Sequence, residues 1–262
     1  MSKTKKRKYK GKSLIDFPQE YCIVDLETTG FSPNYDSIIE IGAIKYKNNM
    51  IVDKFDTLVQ LESEDDFIPN CIQNINNITD EMLENSGEIP INAISKFNDF
   101  IGQSIIVGHN ANFDINFLYD AYQKYLKKPM TNNFVDTLRI FRKLYPDLKH
   151  HRLKDLCSLY NLINIDEHRS IGDCRVTGDG FQKLYKEVLE KYKTVENFRK
   201  AFNSKARTIN RKAIREAESV IKDPESPIYQ KFCVITGKLS KFECKEDAYG
   251  IINGIGGFSE KM

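Results

Sequence analysis

The sequence predicts a layered α/β domain, a mixed sheet flanked by helices, followed by a basic helical connector and a short C-terminal piece. Three observations carry this. Strand-like runs follow one another between residues 19 and 60, strand and helix patterns alternate from about 104, and the composition turns sharply basic after 193.

Residues 1 to 14, "MSKTKKRKYKGKSL", hold seven basic residues, no acid and no apolar periodicity, and are expected to form a disordered tail. "EYCIVDLE", "SIIEIGAIKY" and "IVDKFDTLVQ" then read as three strands of an antiparallel meander, punctuated by Gly, Pro and Asn. Short helices follow, with Thr79 as N-cap of "DEMLEN" and Pro90 opening "INAISKFNDFI". A fourth strand, "SIIVGHN", runs into a helix in which Phe113, Phe117, Leu118 and Tyr122 recur at helical spacing. After a short strand, "NNFVDT", the pattern is mostly helical to about 221. The expected boundaries are a layered α/β domain at 15–193, a connector at 194–228 that packs seven basic residues into "RKAFNSKARTINRKAIR", and a terminal piece at 229–262.

Composition narrows the function classes. Cysteines 22, 71, 157, 174, 233 and 244 show no C-x-x-C spacing, which argues against a zinc ribbon or thioredoxin-type site and for reduced cysteines in a cytoplasmic protein. No apolar run approaches the roughly 18 residues that span a bilayer, so no membrane partner is expected. Net charge is only +2, and the positive charge is concentrated in the tail and connector.

Chemistry concentrates at strand ends. Side chains two apart on a strand share a face, so Asp25 and Glu27, closing "YCIVDLE", project together just before the "TTG" turn. Read alone, they cap and solvate that turn. Asp114, in the first turn of the helix after "IVGHNA", and Asp173, at a helix start five residues after His168, are each an N-cap or helix-dipole partner when read singly.

Together, "IVDLETTG", "VGHNANFD" and "HRSIGD" resemble, in order and separation, the three sequence blocks of the DEDD exonucleases in their histidine-containing branch, which includes the proofreading exonucleases of bacterial DNA polymerases. The resemblance covers residues about 19 to 190. Asn77 stands in "INNIT" where glycine is usual, Ser170 where alanine is typical, and Arg169 where the sister branch has its tyrosine. The resemblance implies a ribonuclease-H-like fold and a 3′-to-5′ exonuclease releasing nucleoside 5′-monophosphates from single-stranded DNA ends in replication proofreading or repair. An RNA-trimming exoribonuclease and a non-catalytic DNA-end adaptor are the alternatives. A DNA polymerase or repair protein is an implied partner.

The same resemblance assigns Asp25, Glu27, Asp114 and Asp173 to two divalent cations, Mg²⁺ or Mn²⁺. Converging carboxylates repel and take up protons unless hard cations neutralise them, which agrees with that assignment. His168 is implied as the base that takes a proton from water, a role that suits an imidazole. Thr28, Thr29, Gly30 and Phe31 are implied contacts to the terminal base and sugar. Gly30 is expected to supply turn dihedrals, and Phe31 reads equally well as core. His109 and Asn110 orient the strand end or serve the fold. The last stretch, "FCVITGKL…EDAYGIINGIGG", resembles the first third of a BRCT domain, with Thr236 and Gly237 at that family's phosphate-contacting pair. At 34 residues, Tyr229 to Met262 falls below the roughly 40 at which unaided folding becomes uncommon.

Overall fold

The computed structural model describes residues 7–63, 66–165 and 167–203, together with 232–233 and 258–259. The chain divides into two units, Met1–Phe202 and Asn203–Met262. The first contains β1 (Ser13–Leu14), β2 (Glu20–Thr28), β3 (Ile38–Lys47), β4 (Met50–Leu58), β5 (Ile106–Gly108) and β6 (Phe134–Asp136) in one sheet of order β1-β6-β5-β2-β3-β4. The meander β2-β3-β4 is antiparallel, as its sequence predicts, while β5, β6 and β1 continue the sheet in parallel from the other side of β2.

Strand periodicity decides what each face covers. On β2, Cys22, Val24 and Leu26 enter one apolar cluster, with Ile94 and Phe97 of α3 (Pro90–Ile101) and Leu118 of α4 (Asn112–Ala121). Tyr21 and Ile23 enter the other, with Phe141 of α5 (Thr137–Leu144) and Phe181 and Leu184 of α7 (Ser170–Tyr192). A central strand covered on both faces needs a continuous apolar run, which is what "YCIV" provides. The remaining helices are α1 (Asn70–Asn76), α2 (Asp80–Ser86), α6 (Leu153–Tyr160) and α8 (Val195–Asn203), and a π-helical turn, Tyr122–Leu126, extends α4. Thr79 caps α2 by accepting from the Met82 N–H at 3.2 Å, and Pro90 opens α3.

Helix α7 lies so close on the sheet that a Cβ on Gly42 would fall 2.6 Å from the Ser170 carbonyl carbon. The Ser170 N–H donates to Glu40 Oε2 at 2.8 Å, and the Arg169 guanidinium grips the other oxygen of the same carboxylate. Glu40 faces Glu27 across the β2–β3 ladder, so this fastening sets the start of α7 against the end of β2.

Described residues on both sides of the expected 15–193 span pack on the same unit. Arg7 pairs with Asp120 at 2.7 Å, Lys10 donates to Asn112 and Asn116 at 2.7 and 2.9 Å, and Ser13–Leu14 add a strand beside β6. Basic side chains that find an acid and two amides, on backbone that completes a sheet edge, offset their ordering entropy. Residues past 193 also pack on the apolar cluster. Phe198 of α8 is fully buried, with its ring 5.0 Å from that of Tyr192 and 6.5 Å from that of Phe17, and Arg199 pairs with Asp16 at 3.1 Å. In the second unit, Phe232–Cys233 and Phe258–Ser259 pair in parallel. The rest of the connector and of the BRCT-like piece, with Thr236 and Gly237, lies outside the described residues.

Candidate active site

The sheet delivers two acids and α7 a third to one point. Carboxylate oxygens of Asp25, Glu27 and Asp173 lie within 4.8 Å of one another. The β2–β3 register slips between Glu27 and Thr28, a bulge that ends regular pairing where the acids converge. Asp114, in the first turn of α4, stands behind the cluster and accepts from the Leu26 N–H at 3.2 Å.

Amides hold the outer carboxylates. Asn76, fully buried at the end of α1, donates to Glu27 Oε2 at 3.1 Å, and Asn164 donates to Asp173 Oδ1 at 2.5 Å. Asn77, the departure from glycine noted above, follows Asn76 at φ 56°, a left-handed cap that asparagine adopts more readily than most residues.

Burial raises all four carboxyls. Asp25 is pushed well above the carboxylate range, first by burial and then by Asp114, Asp173 and Glu27. Glu27 rises to about 7 through burial, opposed by the Asn76 hydrogen bond. Asp114 rises well above its ordinary value through burial, opposed by backbone N–H donors, and Asp173 rises through burial, opposed by Asn164 and His168. Among the described residues, none of the three clustered acids is ion-paired with a lysine or arginine; Arg169 is spent on Glu40. A converging all-oxygen donor set without its own countercharge fits hard divalent cations.

Beside the acids runs a cleft of about 1050 Å³, whose walls include Phe31, Leu153, Ile163, Asn164, His168 and Asp173. His168 takes a left-handed φ of 63° and is half exposed, with Nε2 3.7 Å from Glu167. Phe31 is 84% exposed, which removes the core reading.

The "TTG" turn is built differently from expectation. The Thr28 hydroxyl donates to the Gly30 carbonyl at 2.6 Å, and Thr29 Oγ1 accepts from the Ser37 N–H at 2.9 Å. Gly30 is not left-handed; a Cβ there would meet the Asp36 carboxylate at 2.5 Å, so the turn needs space and not special dihedrals.

His109 is held in place by the chain on both sides of its ring. Its Nδ1 lies 2.9 Å from Thr137 Oγ1 and its Nε2 2.8 Å from the His151 carbonyl, so both ring nitrogens are engaged by the chain. Asn110, at φ 66°, does line the cleft. Burial lowers the His109 pKa to about 4. Native protein therefore refuses a proton that the unfolded chain accepts, and the His109 contribution to stability falls as pH drops from about 6.5 to about 4, by up to about 3 kcal/mol. The unfolding free energy of the parent, measured in urea relative to His109→Asn, should fall with pH across that window; parallel curves would refute it.

Sequence reading missed Asn76, Asn164 and Glu40. Glu40 had a signal, since a lone acid within "IIEIGAI" on a buried strand demands a buried partner. The two asparagines had none, because their roles exist only once α1 and the 161–169 loop reach the acids.

A family model described as Exonuclease (RNase_T) matches residues 22–181. Curated relatives include PolC-type DNA polymerase III of Halalkalibacterium halodurans, 37% identical over 172 residues, and of Listeria monocytogenes, 38% over 170; these stretches cover 66% and 65% of this chain but 12% of either polymerase. Among solved structures, a complex of E. coli exonuclease I with single-stranded DNA matches with TM-score 0.59 and 17% identity, over 69% of this chain and 42% of that one. Exonuclease X with 5′-overhanging duplex DNA matches with TM-score 0.51 and 23% identity, over 70% and 99%. These two likenesses speak to the fold, which is ribonuclease-H-like.

Proposed function

Since the chain belongs to the RNase_T exonuclease family within the DEDD exonucleases, we propose that its first unit is a 3′-to-5′ exonuclease of the histidine branch, removing nucleoside 5′-monophosphates from single-stranded DNA ends. The observation that carries this is the convergence of Asp25, Glu27 and Asp173 without a countercharge, beside a cleft that also holds His168. The likeness to PolC-type polymerases over a small part of their length supports work alongside a polymerase or a repair protein.

Asp25, Glu27 and Asp173, with Asp114 behind them, would hold divalent cations, Mg²⁺ or Mn²⁺. Bound there, such ions polarise water and phosphoryl oxygens. Asn76 and Asn164 fix the carboxylates that do the holding. His168 takes the proton from the attacking water, with its ring on the solvent side of the cleft, where water and substrate arrive. Phe31 and Ile163, both more than four-fifths exposed, offer apolar surface to the terminal bases.

The test uses DNA and RNA oligomers of one sequence, labelled at the 5′ end, with Mg²⁺, Mn²⁺ or chelator. A ladder of DNA shortening from the unlabelled end, stopped by chelation, is expected. Release of a labelled mononucleotide would overturn the polarity, faster loss of RNA would overturn the substrate, and cleavage in chelator would overturn the metal centre.

A further inference from the structure

We propose that a basic trough beside the cleft carries the phosphates of the nucleic-acid strand upstream of its reacting end; this rests on the exonuclease reading above. The trough, about 470 Å³, is lined by Arg142 from α5, by Lys149, His150 and Arg152 from the following loop, and by Asn110 and Leu153 at its inner end. Asn110, Arg152 and Leu153 also line the cleft that holds His168 and Asp173, so the two are continuous.

Three features separate this trough from an ordinary solvated charge run. No acid is among its lining residues. Arg142 and Lys149 are exposed and, among the described residues, form no ion pair, whereas Arg7 and Lys10 of the basic tail are spent on Asp120, Asn112 and Asn116. The floor is also braced. His109 Nε2 meets the His151 carbonyl at 2.8 Å, His151 Nε2 meets the Tyr145 carbonyl at 2.7 Å, and Asp155 holds the Arg152 guanidinium through two contacts of 3.0 Å.

Charge also selects the direction of the strand. Behind the loop that follows Phe31 lies another cavity, of about 600 Å³, whose lining includes Asp36 and Asp66, with Glu62 paired to Lys124 and Asp120 to Arg7. Asp36 and Asp66 repel a phosphate backbone there, whereas Lys149 and Arg142 attract it. Each phosphate neutralised on a single strand contributes about 0.7 to the slope of log K against log salt.

Binding is measured by fluorescence anisotropy with thymidine oligomers of about three and about ten nucleotides, in chelator so that no cleavage intervenes. Wild type is compared with Arg142→Gln/Lys149→Gln and with a control of equal charge loss, Lys54→Gln/Lys128→Gln, at exposed positions that do not line the trough. The trough variant is expected to lower the salt slope for the longer oligomer by about 1.4 and to leave the shorter one unchanged. The control should match wild type on both. Equal slopes in trough variant and wild type, an equal loss in the control, or no binding by wild type would overturn the proposal. Cleavage of the same oligomers in Mg²⁺ is scored separately. Cleavage with an unchanged slope refutes the trough alone, while a lowered slope without cleavage leaves the trough standing as a nucleic-acid surface and refutes the enzyme.

Discussion

Asp25→Asn is expected to remove cleavage and, in metal-free buffer, to raise the melting temperature. Burial and the carboxylates of Asp114, Asp173, Glu27 and Glu40 push Asp25 well above its ordinary range, which places it amid the repulsion. Two unit charges at about 4.8 Å repel by about 3–4 kcal/mol at an effective dielectric near 20, and protonation only partly relieves this. An amide of the same shape removes that repulsion, and each kcal/mol relieved is worth about 2–4 °C in a domain of this size. The same change deletes a ligand from the oxygen set, and losing several kcal/mol of transition-state charge stabilisation slows turnover by at least about 10³-fold. Mg²⁺ at about 100 times its Kd should stabilise wild type by about 2.7 kcal/mol and the variant by much less.

The pH dependence of the metal-free protein should carry the same sign. Glu27 keeps its proton up to about pH 7, while the unfolded chain releases it near 4.5, so the Glu27 contribution to stability falls as pH rises between those values, opposite in sign to that of His109. Saturating Mg²⁺ should flatten that slope. Cleavage within tenfold of wild type by a purified Asp25→Asn protein would sink the assignment. So would a metal-free variant that melts lower than wild type with an intact fold.

What could be read in advance followed short-range periodicity. The period of two put Asp25 and Glu27 on one face of β2, and strand-like runs separated by Gly, Pro and Asn foretold the antiparallel meander. Thr79 and Pro90 marked helix starts because capping is local chemistry. Failures came where the cause was tertiary. The basic composition around 199 masked the apolar face of α8, and only Phe17 and Tyr192 reveal why Phe198 is buried. The role of Arg169 depends on Glu40, 129 residues earlier, which no local pattern connects to it. Gly30 was assigned a dihedral reason, but the Asp36 carboxylate that crowds it belongs to a loop whose path the sequence does not display. His109 looked available until the His151 carbonyl and Thr137 occupied its ring.

His168→Asn is expected to lower kcat by about 10²–10⁴-fold while KM changes little. Asparagine is the replacement of choice because His168 sits at φ 63°, where asparagine is tolerated and longer or β-branched side chains are strained. The backbone of the loop, and with it the His168 N–H that helps hold Asp173, should therefore survive the change. Half exposed and lining the same cleft as Asp173, the ring can accept a proton from water at the acids and pass it to solvent. Nothing in that role requires it to bind substrate, so oligomer affinity should hold. Mg²⁺-induced stabilisation should persist in the variant, because His168 lies outside the oxygen set. A variant with unchanged kcat and collapsed affinity would make His168 a substrate contact. A variant with wild-type kcat and wild-type affinity would place the base elsewhere.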